Sequence, residues 1–301
     1  MRPFCWCVLP AVLALVPACT QKRSEPQPAN KPLLYATNYP LAYFARRIAG
    51  EAAEVRLPAP PGVDPSHWEP EPAVIEEYQR ADLVLLNGAG YEKWVERATL
   101  AASRLLNTSA SFEADYIPLK DAVTHSHGPQ GEHTHAGFAS ITWLDPRLAA
   151  KQAEAIRDAL IRLLPERQAA LEENFRSLAG DLAALDRDLE RITAGKRPLL
   201  ASHPVYHYFE RRYGLKIASL HWEPDRMPAA GEWRRFERLL KRHRSRLMLW
   251  EAEPLAEISE RLAGYGVTVV VFDPCANAPG EGDFLAVMRA NVARLERALA
   301  D

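Results

Sequence analysis

The chain has 301 residues, enough for two ordinary globular lobes that each bury a core of their own. Apolar residues make up 48% of it and charged residues 25%, and 37 Lys and Arg against 39 Asp and Glu give a net charge of −2. This composition excludes collagen-like, disordered and polytopic membrane proteins. Because there is no basic excess, it also argues against a nucleic-acid partner.

The first 18 residues have the pattern of a secretory signal peptide. Arg2 precedes an apolar stretch over residues 4–16, and small residues come just before Cys19. Beyond this segment no apolar run reaches the roughly 20 residues that a bilayer requires. A buried N-terminal helix is the alternative, but three prolines oppose a long helix there. Residues 1–18 are therefore predicted to direct export.

The end of this segment, residues 15–19, resembles a bacterial lipobox. The resemblance implies cleavage before Cys19 and lipidation of its thiol. Residues 19–32 follow, rich in charge, Pro and Gln and without an apolar period, which predicts a flexible tether. The exported protein is then expected to be held by a lipid anchor on the periplasmic or cell-surface side of a membrane.

Short apolar runs alternate with longer amphipathic stretches along the rest of the chain, which is typical of parallel sheets covered by helices. We expect an α/β fold with two doubly wound lobes, over residues 33–144 and 195–301. The predicted strands are 33–37, 55–58, 83–86, 112–117, 198–202, 215–220, 247–251 and 267–272. The predicted helices outside the central region are 41–50, 73–80, 91–106, 207–213, 232–243, 255–262 and 284–299.

Residues 145–194, between the lobes, form helix-favouring sequence interrupted only by Pro165. Within 166–192 the apolar residues recur at three- and four-residue steps, which gives one apolar stripe on a helix about 40 Å long. The stripe is compatible with a coiled coil that forms a dimer. We favour a rigid backbone helix packed across both lobes of a monomer.

Four histidines lie within eleven residues in the first lobe. His125, His127, His133 and His135 share a polar, glycine-containing segment without an apolar period, so packing gives no reason for them. Neutral imidazole binds Zn²⁺, Cu²⁺ and Ni²⁺ well. The segment is predicted to be a metal-gathering loop, the alternative being a solvated loop with incidental histidines. It lacks the His-Glu-x-x-His spacing of a zinc hydrolase.

Four further polar residues follow predicted strands. His203, Glu251 and Asp273 stand at or just past strand ends, and His67 lies in the loop after the second strand. In doubly wound sheets, ligands bind beyond the carboxyl ends of the strands. Two lobes facing one another would bring these side chains together, and two imidazoles with two carboxylates suit a divalent transition metal.

A short segment occurs twice. Residues 221–224 repeat the His-Trp-Glu-Pro of residues 67–70. No other repeat runs in register with it, so we interpret the second copy as coincidence or a packing turn. A metallohydrolase with Glu223 or Glu251 as the base is the enzymatic alternative. The sequence contains no nucleophile elbow, phosphate loop or paired catalytic signature, so we expect no enzyme.

These residues resemble the cluster A-I solute-binding lipoproteins of bacterial ABC transporters for zinc and manganese, over nearly all of the mature chain. The family signature Gly-x-Asp-Pro-His-x-Tyr-Glu-Pro is similar to Gly62-Val63-Asp64-Pro65-Ser66-His67-Trp68-Glu69-Pro70, with Ser66 interpreted as one inserted residue. Further similar segments are Asn38-Tyr39-Pro40-Leu41, residues 81–88, Trp143-Leu144-Asp145-Pro146, Ser202-His203-Pro204 with residues 213–215, Phe272-Asp273-Pro274 and residues 283–291.

The resemblance implies two α/β lobes joined by a long rigid helix, with metal in the cleft between them. Carried over by position, His67, His203 and Asp273 become metal ligands, and Glu251 occupies a position that is often acidic. The loop of residues 125–135 resembles the one that gathers the ion in zinc-selective members. One ligand is missing, because Ile141-Thr142 stands where the family has a histidine, so either fewer histidines suffice or His133 or His135 folds in.

The expected function is therefore an extracytoplasmic receptor that captures Zn²⁺ and delivers it to an ABC permease. Selectivity for Mn²⁺ or Fe²⁺ on the same scaffold is the first alternative, because the visible set has two nitrogens and two carboxylates. An exported metal buffer without a transporter is the second alternative. Cys275 is left as a lone thiol in the mature chain, expected to be buried as a small apolar residue.

Overall fold

The computed structural model describes Met1 and residues 31–126, 132–195 and 197–300, and at residues 120–126 and 132–136 it describes the backbone alone. The predicted signal peptide, Cys19 and His127 lie outside the described residues. By its internal contacts the chain divides into two units, Met1–Asn30 and Lys31–Asp301. Within the described ranges, no helix is long and apolar enough to cross a membrane.

A sheet of four parallel strands forms the N-terminal lobe. The strands are β1 (Leu33–Ala36), β2 (Glu54–Arg56), β3 (Leu83–Leu86) and β4 (Leu105–Asn107), in the order β2-β1-β3-β4. Helices α1 (Tyr39–Ala49) and α2 (Pro72–Arg80) make the crossovers. Asn38 caps α1, because its side-chain oxygen accepts the N–H of Leu41 at 3.0 Å. Three of the four strands predicted for this lobe are confirmed.

The region after β3 differs from the prediction. Instead of a helix over 91–106 there are two short 3₁₀ turns, Lys93–Arg97 and Ala102–Arg104, and the fourth strand is β4 rather than residues 112–117. The buried Glu92 carboxylate explains the first difference. It accepts the hydroxyl of Thr37 at 2.5 Å and the N–H of Asn87, which ties the segment to the ends of β1 and β3. Tertiary contacts thus override local helix preference.

The histidine-rich segment belongs to a β-hairpin. β5 (Pro118–Ser126) and β6 (Glu132–Phe138) pair antiparallel, with His125 opposite His133 and Val123 opposite His135. The prediction of an irregular loop over residues 125–135 is therefore wrong for the backbone of these three histidines. The error has a physical source, since pairing of the two strands satisfies backbone groups without requiring apolar alternation.

Two long helices follow, α3 (Pro146–Leu163) and α4 (Gln168–Thr193), with a 3₁₀ turn at Pro165 between them. The 26 residues of α4 bury the predicted stripe, including Leu171, Leu178, Leu182 and Leu189. This stripe shares one apolar core with residues of both sheets, so α4 is packed across the two lobes. Because its own chain covers the stripe, the coiled-coil alternative is not supported.

A second sheet of four parallel strands forms the C-terminal lobe. Its strands are β7 (Leu199–Ala201), β8 (Ile217–Ser219), β9 (Leu247–Trp250) and β10 (Thr268–Val271), and its helices are α5 (His207–Tyr213), α6 (Ala230–His243), α7 (Ala256–Gly264) and α8 (Phe284–Ala300). All four strands and all four helices were expected from the sequence. The order β10-β9-β7-β8 repeats the connectivity of the N-terminal sheet.

Hydrogen bonds join the two lobes on the side of the strand ends. The indole N–H of Trp143 donates to the carbonyl of Pro274 at 2.7 Å, and the N–H of Tyr39 donates to the carbonyl of Ala276 at 2.9 Å. The amide of Asn277 donates to the carbonyls of Pro60 and Val63. The segment after β10 therefore holds both the start of α1 and the loop that leads to His67.

Candidate metal centre

Three predicted site residues follow parallel strands of the C-terminal sheet. His203 comes after β7, Glu251 after β9 and Asp273 after β10, so the fold delivers all three to one edge. Nδ1 of His203 lies 3.9 Å from Oε1 of Glu251. His203 is buried, with 8% of the residue exposed, which restricts its imidazole to a few orientations. The structure thus places His203 beside Glu251, with Asp273 near enough for its charge to act on Glu251.

The electrostatics of Glu251 reveal which groups surround it. Burial, together with the negative charges of Asp64, Glu223 and Asp273, raises the pKa of this carboxyl to about 8. Asp64 comes from the N-terminal lobe, whereas the other two belong to the C-terminal lobe. A cation at this point would relieve the repulsion among the carboxylates and would displace the proton of Glu251.

Asp273 is held from two sides. Its Oδ1 accepts the N–H of Cys275 at 2.6 Å, and its own N–H donates to Oδ1 of Asn291 at 3.1 Å. Asn291 lies fully buried on α8 and returns a bond to the carbonyl of Asp273 at 2.7 Å. Burial raises the pKa of Asp273, although the bond from Cys275 opposes this. The carboxylate is thereby held in place at the edge of the sheet. Cys275 is buried, as expected.

Two further residues stand beside His203 that the sequence did not assign as ligands. Oε1 of Glu223 lies 3.8 Å from Nδ1 of His203, and the ring of His221 packs edge-on against that of His203 with centroids 5.7 Å apart. From the sequence, Glu223 was considered only as the base of a metallohydrolase. The signal that could have found both was the repeated His-Trp-Glu-Pro segment.

His67 lies in the wall of a groove in the N-terminal lobe. Its Nε2 is 4.0 Å from Oδ2 of Asp64, and the groove, about 510 Å³, is also lined by Tyr91, Lys93 and Phe138. Asp64 is the residue of this loop whose charge acts on Glu251. Asp64 was not among the site residues predicted from the sequence.

The interpretation of Ser66 as an inserted residue is wrong. The family signature and residues 62–70 are both nine residues long, so nothing is inserted. Ser66 therefore stands at the position of the signature histidine, and His67 one position later. Asp64 accepts the N–H of Ser66 at 2.9 Å, which makes a tight turn at this point.

The end of the N-terminal sheet carries neutral polar groups. The Asn87 amide donates to the carbonyl of Ser140 at 2.8 Å, and its oxygen accepts the hydroxyl of Thr142 at 3.2 Å and the amide of Gln152 at 3.1 Å. Ile141, which occupies the position of the missing histidine, packs against the main apolar core. Besides the Glu92 carboxyl, this end of the N-terminal sheet therefore offers amides and hydroxyls, whereas the same end of the C-terminal sheet offers an imidazole and carboxylates.

The distances around His203 are slightly longer than a metal requires. Within the described part of the chain, no three His, Cys, Asp or Glu side chains are placed so that they could hold one ion together. In a tetrahedral zinc site, donor atoms lie about 3.3 Å from one another. The separations of 3.8 and 3.9 Å exceed this by about half an ångström.

The base of the histidine-rich hairpin contributes to the groove beside His67. Leu119, Gly137 and Phe138 line it, and Phe138 is 48% exposed. The side chains of His125, His133 and His135 lie outside what the structure describes, so their part in metal gathering stays a prediction. The first of its two strands begins beside the groove and the second ends there.

Comparison with known proteins supports the family resemblance. Residues 34–298 match the model of the family described as zinc-uptake complex component A periplasmic, ZnuA. The high-affinity zinc uptake system protein ZnuA of Bacillus subtilis is 29% identical over 275 residues, 85% of this chain and 83% of that protein. The manganese-binding lipoprotein MntA of Halalkalibacterium halodurans is 27% identical over 229 residues, 74% of this chain and 72% of that protein.

The zinc-binding lipoprotein AdcA of Streptococcus pneumoniae is longer than this chain. The two are 26% identical over 298 residues, which are 95% of this chain but 58% of AdcA. The crystal structure of Zn(II)-bound AdcA superposes with a TM-score of 0.76 at 21% identity, over 90% of this chain and 58% of that one, and so confirms the fold. Since the family model matches most of its length, the chain belongs to the ZnuA family of metal-binding ABC-transporter receptors.

Proposed function

We propose that this protein is an extracytoplasmic receptor that captures Zn²⁺ between its lobes and delivers it to an ABC permease for uptake. The observation that carries the proposal is the buried imidazole of His203 with carboxylate oxygens of Glu223 and Glu251 at 3.8 and 3.9 Å. Family membership supports it, as do the zinc-binding relatives. The ion is the cargo of this protein, bound and released without bond chemistry.

Each proposed ligand has a distinct role in capture. His203 supplies a neutral nitrogen, and Glu251 and Asp273 supply the negative charge that compensates a divalent cation in a buried site. His67, together with Asp64, would close on the ion from the N-terminal lobe. Because the C-terminal lobe carries most of the donors, the ion binds there first and the N-terminal loop completes the site.

Zinc is proposed ahead of manganese and iron. Imidazole nitrogen favours Zn²⁺, and the general order of affinities places Zn²⁺ above Mn²⁺ and Fe²⁺ at such donor sets. The four histidines of the hairpin fit zinc gathering. Manganese selectivity is the alternative, favoured by the several carboxylates around Glu251 and by the manganese-binding relative.

The proposed location follows from the N-terminal sequence and from the family. Export by residues 1–18 and lipidation of Cys19 would hold the receptor at the outer face of a membrane, close to its permease. We propose that it acts as a monomer. A stand-alone metal buffer would share the binding site but would not increase uptake, so zinc uptake by cells at limiting zinc, with and without the chain, separates the two functions.

Calorimetry with ZnCl₂ and MnCl₂ on the purified chain tests binding. Wild type is expected to bind one Zn²⁺ tightly and Mn²⁺ more weakly. His203→Ala and Asp273→Asn are expected to weaken zinc binding at least about tenfold, because each removes a donor. His243→Ala is the matched control, since His243 is only partly buried and its ring bonds the carbonyl of Lys216 in the same lobe. Equal affinities for all four proteins would overturn the proposal.

A further inference from the structure

The two lobes are topological copies of one another. In each sheet the first strand in sequence lies between the second and the third, and the fourth pairs with the third. β7, β8, β9 and β10 thus correspond to β1, β2, β3 and β4. The residues after these strands correspond as well, so that His203 matches Asn38 and Glu251 matches Asn87. The N-terminal lobe has neutral amides where the C-terminal lobe has metal-binding groups.

Because of this correspondence, the two copies of the repeated His-Trp-Glu-Pro segment lie in equivalent loops. Residues 67–70 lie between β2 and α2, and residues 221–224 lie between β8 and α6, which is the equivalent loop. The repetition of His-Trp-Glu-Pro is therefore in register with the fold. The second copy is therefore better explained by a shared role than by coincidence or by a packing turn. The first copy belongs to the proposed metal loop of the N-terminal lobe.

Both tryptophans anchor their loops on an aromatic cluster of their own lobe. Trp68 packs against a cluster containing Tyr35, Tyr78 and Trp94. Trp222 is 2% exposed and lies 4.7 Å from the ring of Trp233 and 6.2 Å from that of Trp250, measured between centroids. In both loops the tryptophan is the residue that packs into the apolar cluster of its lobe.

In the C-terminal lobe, backbone hydrogen bonds hold residues 221–224 in place. The N–H of Trp222 donates to the carbonyl of Ser202 at 2.9 Å, and the carbonyl of Pro224 accepts the N–H of Leu255 at 2.9 Å. The segment is thereby held between the residues that follow β7 and those that follow β9. Burial alternates along it, with Leu220 and Trp222 in the aromatic core and His221 and Glu223 only partly buried. His221 and Glu223 lie beside His203, and the charge of Glu223 also acts on Glu251.

The glutamate of the repeated segment has different contacts in the two lobes, and in the C-terminal lobe the histidine also contacts a proposed ligand. Glu69 is exposed and forms an ion pair with Arg97 at 2.6 Å, whereas Glu223 lies 3.8 Å from the imidazole of His203. The ring of His221 contacts that of His203 edge-on. With Asp273 after β10, each of the four strands of the C-terminal sheet is followed by a His, Asp or Glu side chain at the same edge.

We propose that residues 221–224 form a metal-binding loop in which His221 and Glu223 bind the divalent ion together with His203, and that His221 supplies the imidazole missing at Ile141. The inference rests on the proposed function, because it names further donors of the same site. It places the primary site almost wholly on the C-terminal lobe. Two imidazoles and a carboxylate with one open position are a known zinc arrangement.

The test measures Zn²⁺ affinity and the coordination of Co²⁺ in the full chain. His221→Gln and Glu223→Gln are expected to weaken Zn²⁺ binding at least about tenfold, since loss of even an outer-shell partner costs about 10–100-fold. Co²⁺ bound to wild type and to His221→Gln should differ in visible absorption, because one nitrogen donor is lost. A residue that merely supports the fold would leave the Co²⁺ spectrum unchanged.

The first copy of the segment provides the matched control. Glu69→Gln changes the same residue of the same motif in the other lobe, and is expected to change zinc affinity less than about threefold, as for a surface ion pair. Thermal unfolding of the metal-free variants separates loss of a donor from loss of the fold. If His221→Gln unfolds, His221→Asn and Glu223→Asp replace it.

The outcomes distinguish the two proposals. If His203→Ala abolishes binding while His221→Gln and Glu223→Gln bind zinc like wild type, this inference is overturned and the proposed function stands. If wild type fails to bind Zn²⁺, both are overturned. If Glu69→Gln weakens binding as much as Glu223→Gln, the motif acts through packing in both lobes and the assignment of donors in residues 221–224 is wrong.

Discussion

The side-chain amide of Asn277 donates a 2.7 Å hydrogen bond to the main-chain carbonyl of Val63, and a second one of equal length to that of Pro60. Asn277 follows β10 in the C-terminal lobe, whereas Val63 directly precedes Asp64 in the other lobe. One side chain therefore fixes the loop that brings Asp64 toward Glu251. The geometry of the site depends on this link between the lobes, although Asn277 is not a proposed ligand.

Replacing Asn277 by Ala is expected to lower zinc affinity about three- to tenfold, because the N-terminal loop then has to be ordered on binding. The loss should appear in calorimetry as a less favourable entropy. Asn174→Ala is the matched control, since the Asn174 amide also bonds a backbone carbonyl, that of Ile48 at 2.9 Å, far along the chain from the site. Similar losses in both variants would mean that the link has no specific role.

Asp186 on α4 is the centre of a buried polar network. It accepts bonds from Arg212 at 2.7 and 2.9 Å, from Arg147 at 3.1 Å and from the hydroxyl of Tyr213 at 3.0 Å. Although burial opposes it, these bonds lower the pKa of Asp186. Removing one partner of a buried ion pair leaves the other uncompensated.

Asp186→Ala is therefore expected to lower the free energy of unfolding by about 3 kcal/mol, near the low end of the range for buried pairs. Urea unfolding of the metal-free protein measures it. Asp188→Ala, two residues along the same helix, removes an exposed carboxylate 3.9 Å from Arg191 and should cost less than about 0.5 kcal/mol. A change in Asp186→Ala no larger than in this control contradicts the assignment.

The fold could be predicted from the sequence where burial determines the spacing of the apolar residues. The C-terminal strands are short apolar runs between turns, and α4 repeats leucines every three or four residues, so both were predicted correctly. The helix expected over 91–106 failed because the buried carboxylate of Glu92 bonds groups on β1 and β3, which no local pattern encodes. The hairpin of β5 and β6 was missed because its residues show no alternation.

Only part of the site could be predicted from the sequence, because the other residues are brought there by tertiary structure. His203, Glu251 and Asp273 could be located because each follows a strand, and parallel strands share an edge. His221 and Glu223 required knowledge that β8 corresponds to β2, and that correspondence depends on strand order. Asp64 required the fold of the loop, where the turn at Ser66 and the bonds from Asn277 fix its position.

The histidine-rich hairpin is expected to raise local zinc concentration without contributing to tight binding. Replacing His125, His127, His133 and His135 by Asn keeps the hairpin length and should change the affinity of the tight site less than about threefold, while weaker Zn²⁺ binding disappears from the titration. This follows if the missing donor comes from His221. Loss of the tight site in the fourfold variant would instead show that a hairpin histidine replaces the ligand absent at Ile141.

Glu92 makes the stability of the metal-free protein depend on pH. Burial raises its pKa to about 7, although the hydroxyl of Thr37 and backbone N–H groups favour the charged form. A carboxyl whose folded pKa lies above its unfolded value contributes stability that is complete below about pH 4.5 and is lost as pH rises through 7. The loss amounts to about 3 kcal/mol between these limits. Glu251 acts in the same direction, since its pKa is also raised.

Urea unfolding at pH 5 and pH 8.5 with a chelator measures this dependence. Wild type should be less stable at the higher pH, and Glu92→Gln should show a drop smaller by about 3 kcal/mol, because the amide does not ionise. Glu96→Gln on the same 3₁₀ turn is the control, since Glu96 is exposed and its substitution should leave the wild-type drop unchanged. An identical drop in wild type and Glu92→Gln would mean that Glu92 is already charged at pH 5, stabilised by the bonds that join it to the ends of β1 and β3.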